Sequence, residues 1–123
     1  VSHIESDRCT RALELAEAAG QVVVLKGART VIASPSGELR ICRSGTPALG
    51  TAGAGDVLSG VIAALSVALS PFTAAWAGVE IHARAGALAA RADRGLVAGQ
   101  VAEQLAAALT ECRGASGLTH PGA

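Results

Sequence analysis

Methionine and tyrosine are absent from the 123 residues, and phenylalanine and tryptophan occur once each. With so few large anchors, a core has to be built largely from Ala and Val, side chains that suit close helix–strand packing. The missing Met makes Val1 either a recoded start or a cut end. An excess of either charge is also lacking, since ten Lys and Arg balance ten Asp and Glu, so no basic field attracts a nucleic-acid backbone. No apolar run approaches the ~20 residues of a membrane helix; stretches such as Val61–Leu69 are interrupted by Ser or Gly. Glu5, Asp7 and Arg8 leave no room for a signal-peptide core. A soluble, cytoplasmic protein that engages neither membrane nor nucleic acid is expected. Cysteine is sparse: Cys9, Cys42 and Cys112 are odd in number and widely spaced, which fits free thiols and neither a disulfide framework nor a zinc site.

What is present is a buried-rich composition, 50% hydrophobic and 16% charged, at a length that accommodates one domain. Ala12, Leu13, Leu15, Ala16 and Ala19 recur at helical spacing, so a helix is predicted from Asp7, as N-cap, to Ala19, with Gly20 closing it. The run Val22-Val23-Val24-Leu25 reads as a strand buried on both faces in a parallel sheet. Thr30–Ala33 and Glu38–Cys42 flank Ser34-Pro35-Ser36-Gly37 and predict a β-hairpin. A long loop, Ser44 to Gly55, leads into a helix over Val57–Leu69. Ser70-Pro71 starts another helix as N-cap and N1, running to about Asp93 before Gly95 breaks it. A last helix is expected from Ala98 to Cys112, with the domain ending at residue 113 and 114–123 a flexible tail.

Three constellations could carry chemistry. Thr51-Ala52-Gly53-Ala54-Gly55-Asp56 opens a helix with small residues, so the N–H groups of Gly53, Ala54 and Gly55 lack intrahelical partners and a phosphate can approach them. Asp56 would accept a proton from a hydroxyl attacking phosphorus, or complement the helix dipole as a first-turn carboxylate; the two roles are compatible. Lys26-Gly27-Ala28-Arg29-Thr30 follows the strand at its carboxyl end, where α/β folds bind ligands. Lys26 reaches a nucleotide there or is merely solvated, Gly27 lets the backbone turn, and Arg29 pairs with phosphate or faces water. His82, on an Ala-rich helix, reads as a packed, hydrogen-bonded residue rather than a catalyst. No His, Cys and carboxylate cluster has metal-ligand spacing, although magnesium carried by a nucleotide would leave no such signature.

Taken together, Val23-Val24-Leu25-Lys26-Gly27 with Thr30, Gly45-Thr46-Pro47-Ala48-Leu49-Gly50-Thr51-Ala52-Gly53-Ala54-Gly55-Asp56-Val57-Leu58-Ser59-Gly60, and His82-Ala83-Arg84-Ala85-Gly86 resemble the ADP/ATP-dependent NAD(P)H-hydrate dehydratases. These are ribokinase-like domains, also found as the C-terminal half of bifunctional nicotinamide nucleotide repair enzymes. The resemblance runs from about Ala12 to Gly99. Gly50, Ala52, Ala54 and Ala83 depart from the usual pattern, and Ala54 removes a hydroxyl that could have touched phosphate.

The resemblance implies the C-terminal part of a ribokinase-like α/β/α layered fold, truncated at its N-terminus. It implies ADP or ATP as phosphoryl donor with Mg2+, and hydrated NADH or NADPH as the small-molecule substrate, phosphorylated and then restored by loss of phosphate. By position, Lys26, Gly27, Ala28, Arg29 and Thr30 would contact the adenine nucleotide, Gly55 its phosphate, with Gly53 and Ala54 part of the same nucleotide-binding loop, and Asp56 the hydrate hydroxyl as base or orienting acceptor. On its own the chain is expected to expose apolar sheet surface and turn over poorly. A ribokinase-like small-molecule kinase and a non-catalytic nucleotide-binding remnant are the competing readings, and self-association is left open.

Overall fold

The computed structural model describes residues 3–90 and 95–115. Helix α1 (His3–Ala19) leads to strand β1 (Val23–Leu25), then β2 (Thr30–Ala33) and β3 (Leu39–Cys42). A 3-10 turn at Pro47–Gly50 precedes α2 (Ala54–Leu65), α3 (Pro71–Ala89), α4 (Ala98–Glu103) and α5 (Leu105–Ala115).

The strands form one sheet in the order β1-β2-β3. Side chains alternate across a strand, so each one serves two layers. Val31 and Ala33 of β2, with Val23, Leu25 and Ile41, pack against Ala12 and Ala16 of α1. Ile32 and Cys42 point the other way, onto Leu58 of α2 and Ala75, Val79 and Ala83 of α3. Helices therefore cover both faces, giving an α/β/α stack. A third cluster, with Val101, Ala108, Ile81 and Leu96, joins α3 to α4 and α5. Small residues permit the close approach: a Cβ on Gly78 would lie 2.7 Å from Cγ1 of Ile62, so α2 and α3 pack nearly backbone to backbone there.

The hairpin forms as the sequence predicts, with Val31 opposite Ile41 and Ala33 opposite Leu39. The predicted N-cap of α3 is also present, the Ser70 side chain accepting from the Thr73 N–H with Pro71 following. Other expectations are corrected. The run ending in β1 is half-buried, and β1 pairs antiparallel with β2, Val24 opposite Ile32, with no parallel pair among the described residues. Its apolar character reflects helices on both faces; its direction follows from the short Lys26–Arg29 connection, since a parallel return needs a crossover of roughly a dozen residues or more.

Helix α1 starts at His3, which places Asp7 inside it, 3.7 Å from Arg11, rather than at a cap. Helix α2 starts at Ala54 and ends at Leu65, and the Ser66 hydroxyl donates to the Ile62 carbonyl where the helix closes. The predicted last helix is two, because Gln104 donates to the Val101 carbonyl in a tighter turn that lets both pieces pack on α3. Gly114 belongs to α5; residues 116–123 of the expected tail and Asp93, the expected end of α3, lie outside the described residues.

Ile32 is completely buried where α2 and α3 pack on the sheet. Replacing it with Ala is expected to cost about 2–5 kcal/mol in urea denaturation, whereas Leu15→Ala, at a residue 55% exposed, should cost little.

Candidate functional site

Two backbone segments separated in sequence meet at the carboxyl end of β1. The first is the connection Lys26–Arg29. The second is the start of α2, where Gly53 is the N-cap at φ +84°, a left-handed conformation that glycine adopts without strain. No side chain caps this helix. The Gly53 carbonyl accepts from the N–H groups of Asp56 and Val57, and the Ala54 N–H donates to Thr51. The N–H of Gly55 has no acceptor among the described residues. One of the three donors expected to be available, that of Ala54, is thus already engaged.

The Lys26 side chain reaches across to this helix start. Its Nζ stands 2.9 Å from where a Cβ on Gly55 would be, an approach that only glycine permits without displacement. An ammonium group accordingly faces the positive end of a helix dipole. Behind it, buried His82 of α3 donates from Nε2 to the Ala54 carbonyl at 2.9 Å. A carbonyl only accepts, which fixes the tautomer as Nε2–H. Burial pushes the imidazole pKa down and the Lys26 charge lowers it further, against the opposing pull of the Ala54 hydrogen bond. The histidine is a neutral tie between α3 and the first turn of α2, in keeping with a packed role.

Beside this junction lies a cavity of about 500 Å³, within the range of small-molecule sites. It is lined by Lys26, Gly27, Ala28 and Thr30 and by residues of the loop between Ser44 and Gly50. Leu58, Val79 and His82 complete the lining from α2 and α3. Cys42 is in the wall too, its thiol pushed up to about 11 by burial and by Glu80, so it is protonated and not a nucleophile at neutral pH.

The candidate residues divide by place. Lys26, Gly27, Ala28 and Thr30 line the cavity; Gly53, Ala54, Gly55 and Asp56 do not, and Lys26 links the two groups. Asp56 is exposed in the first turn of α2 and makes no ion pair among the described residues. Arg29 is outside the lining and pairs with Glu5 of α1 at 2.7 Å. Gly27 has no left-handed φ; its lack of a side chain instead makes room for the guanidinium of Arg8, 2.6 Å from a hypothetical Cβ. The walls from Cys42, Leu58 and Val79 carried no sequence signal beyond core periodicity.

A three-layer α/β chain with a glycine-rich helix start beside a strand-end lysine defines part of a ribokinase-like fold. The chain belongs to the NAD(P)H-hydrate dehydratase family, whose sequence model matches residues 1–110. It is 48% identical over 101 residues to the bifunctional NAD(P)H-hydrate repair enzyme of Escherichia coli, covering 80% of this chain and 20% of that one. The ADP-dependent (S)-NAD(P)H-hydrate dehydratase of Neisseria meningitidis is 38% identical over 109 residues, covering 88% of this chain and 36% of that one. The crystal structure of the Bacillus subtilis ADP/ATP-dependent NAD(P)H-hydrate dehydratase, co-crystallised with ATP and Mg2+, superposes with a TM-score of 0.81 at 29% identity. That match covers 88% of this chain and 40% of the Bacillus chain.

Because the His82 pKa is lowered from an ordinary value of 6.5, the fold favours the neutral ring. Its contribution to stability is complete above that pH and is lost as pH falls through 6.5 toward the folded-state value. Urea midpoints between pH 7.5 and 5 should therefore drop more for the wild type than for His82→Gln. Parallel pH profiles would show that the ring is not held neutral.

Proposed function

We propose that this chain supplies the nucleotide site and the base of an NAD(P)H-hydrate dehydratase, which repairs hydrated NADH or NADPH at the expense of ADP or ATP. The observation that carries the reading is the Lys26 ammonium at the glycine-rich start of α2. A cation at the positive end of a helix is unfavourable by about 0.3–1 kcal/mol, and an anion between them reverses the sign. A terminal phosphate of the nucleotide is that anion. The Gly55 N–H and Lys26 then share its charge, with Gly53 and Ala54 shaping the turn around it, and the apolar walls of the adjoining cavity take the uncharged part of the nucleotide against Gly27, Ala28 and Thr30. Arg29, tied to Glu5, supports the loop from outside.

Asp56 is exposed on the first turn beside this phosphate site, open to a second substrate. It takes the proton of the hydrate hydroxyl as that oxygen attacks the terminal phosphorus, AMP leaving when the donor is ADP. Loss of phosphate and a proton from the resulting ester restores the dihydronicotinamide. Among the described residues no three His, Cys, Asp or Glu side chains gather as a metal cage. Magnesium brought in with the nucleotide would supply charge neutralisation at its phosphates, and no side chain of this chain is assigned to it.

The chain spans one-fifth to about one-third of the length of the curated relatives compared above. Slow turnover is expected from the 123 residues alone. With ADP and NADH hydrate, phosphate should appear in step with recovered dihydronicotinamide absorbance. Asp56→Asn should lower that rate by about 100-fold or more while leaving ADP affinity within about twofold. A phosphorylated product without recovered absorbance would identify a small-molecule kinase instead, and ADP binding with neither signal would identify a binding module.

A further inference from the structure

Glu5, Arg8, Ala12 and Ala16 share one face of α1, but only the last two belong to the apolar layer against the sheet. Arg8 is half-buried and spends its guanidinium on backbone. Nη2 donates to the carbonyls of Leu25 at 3.1 Å and Lys26 at 3.0 Å, and Nη1 to that of Arg29 at 2.9 Å. The Thr30 hydroxyl holds the Gly27 carbonyl at 3.2 Å. The Arg29 side chain is drawn to Glu5 on the same face of α1. Between the end of β1 and the start of β2, the carbonyls of Leu25, Lys26, Gly27 and Arg29 are thus all engaged by side chains, three of them by one residue.

Two consequences follow for the opposite side of the loop. Carbonyl oxygens carry partial negative charge, and at the carboxyl end of a strand they would repel a phosphate; bonded to a guanidinium, they are neutralised and fixed in direction. Lysine has a long flexible stem, so an ammonium placed at Gly55 needs a rigid Cα at its base. The planar fork of arginine holds two carbonyl directions at once, which a point-charged ammonium cannot. Gly27 leaves the space that the fork fills.

We infer that Arg8 is a positioning residue for the nucleotide site, its guanidinium fixing the Lys26–Arg29 loop so that Lys26 stands at Gly55 and the loop carbonyls are withheld from a bound polyphosphate. The ligand in this statement rests on the function proposed above. Arg8 touches no reacting atom; it acts through Lys26.

Amide hydrogen exchange and ADP calorimetry on the 123-residue chain test it. In Arg8→Ala, exchange at residues 27–30 should quicken by about tenfold while Val31–Ala33 stay protected, and the Kd for ADP should rise by about five- to tenfold. Arg8→Lys, which keeps the charge and the aliphatic stem and so spares the packing of α1, should weaken ADP in the same direction. Arg11→Ala, on the exposed side of α1, should change neither readout. Unchanged exchange at 27–30 overturns the inference, as does faster exchange with unchanged ADP affinity, because Arg8 would then order the loop without serving the ligand. If the wild type binds no ADP, the nucleotide reading falls and takes the positioning role toward it along; the exchange data then decide only whether Arg8 holds the loop.

Discussion

The approach of the Lys26 ammonium to Gly55 is the contact on which the rest of the site depends. It joins the end of a strand to the start of a helix, and it is an electrostatic conflict in the absence of a ligand, since both partners are positive. The surrounding structure keeps the two from drifting apart: β1 is held to β2 by its antiparallel register, and α2 is held to α3 by His82 and by the close contact at Gly78. The helix start is thereby fixed in place beside the lysine. An anion placed between them would turn this like-signed approach into a favourable one.

The division of labour among layers follows from the alternation of the strands. Residues of β1 and β2 that face α1 are matched by Ala12 and Ala16, which bring that helix close enough for Arg8 to reach the strand-end carbonyls. Residues facing the other way seat α3, whose His82 then lies beneath the first turn of α2. Small core side chains are thus not merely a substitute for the missing aromatics. They set the interlayer distances at which two polar braces, one from each helical layer, can meet the same junction.

Much of this was legible in the sequence. The hairpin was carried by β-branched residues around Ser34-Pro35-Ser36-Gly37, and the start of α3 by Ser70-Pro71, because both signals are local and steric. The glycine-rich run to Asp56 and the strand-end Lys26 stood out by motif and spacing, and the structure brings Lys26 to Gly55. The pairing direction of β1 could not, since an apolar run between two helical layers looks alike in parallel and antiparallel sheets. Nor could the roles of Arg8 and Gly27, which are defined by hydrogen bonds from a helix to backbone carbonyls 17 to 21 residues away. The outward turn of Arg29 depends likewise on Glu5, and residue type alone could not choose between phosphate and carboxylate as its partner.

The most direct measurement is an amide NMR titration of the chain with ADP, repeated on Lys26→Ala. Saturable shifts largest at Gly55 and at Gly27–Ala28, weakened together when Lys26 is truncated, are the predicted result. Shifts that are absent at Gly55, or that survive unchanged without the lysine, would contradict an anion site built on this contact.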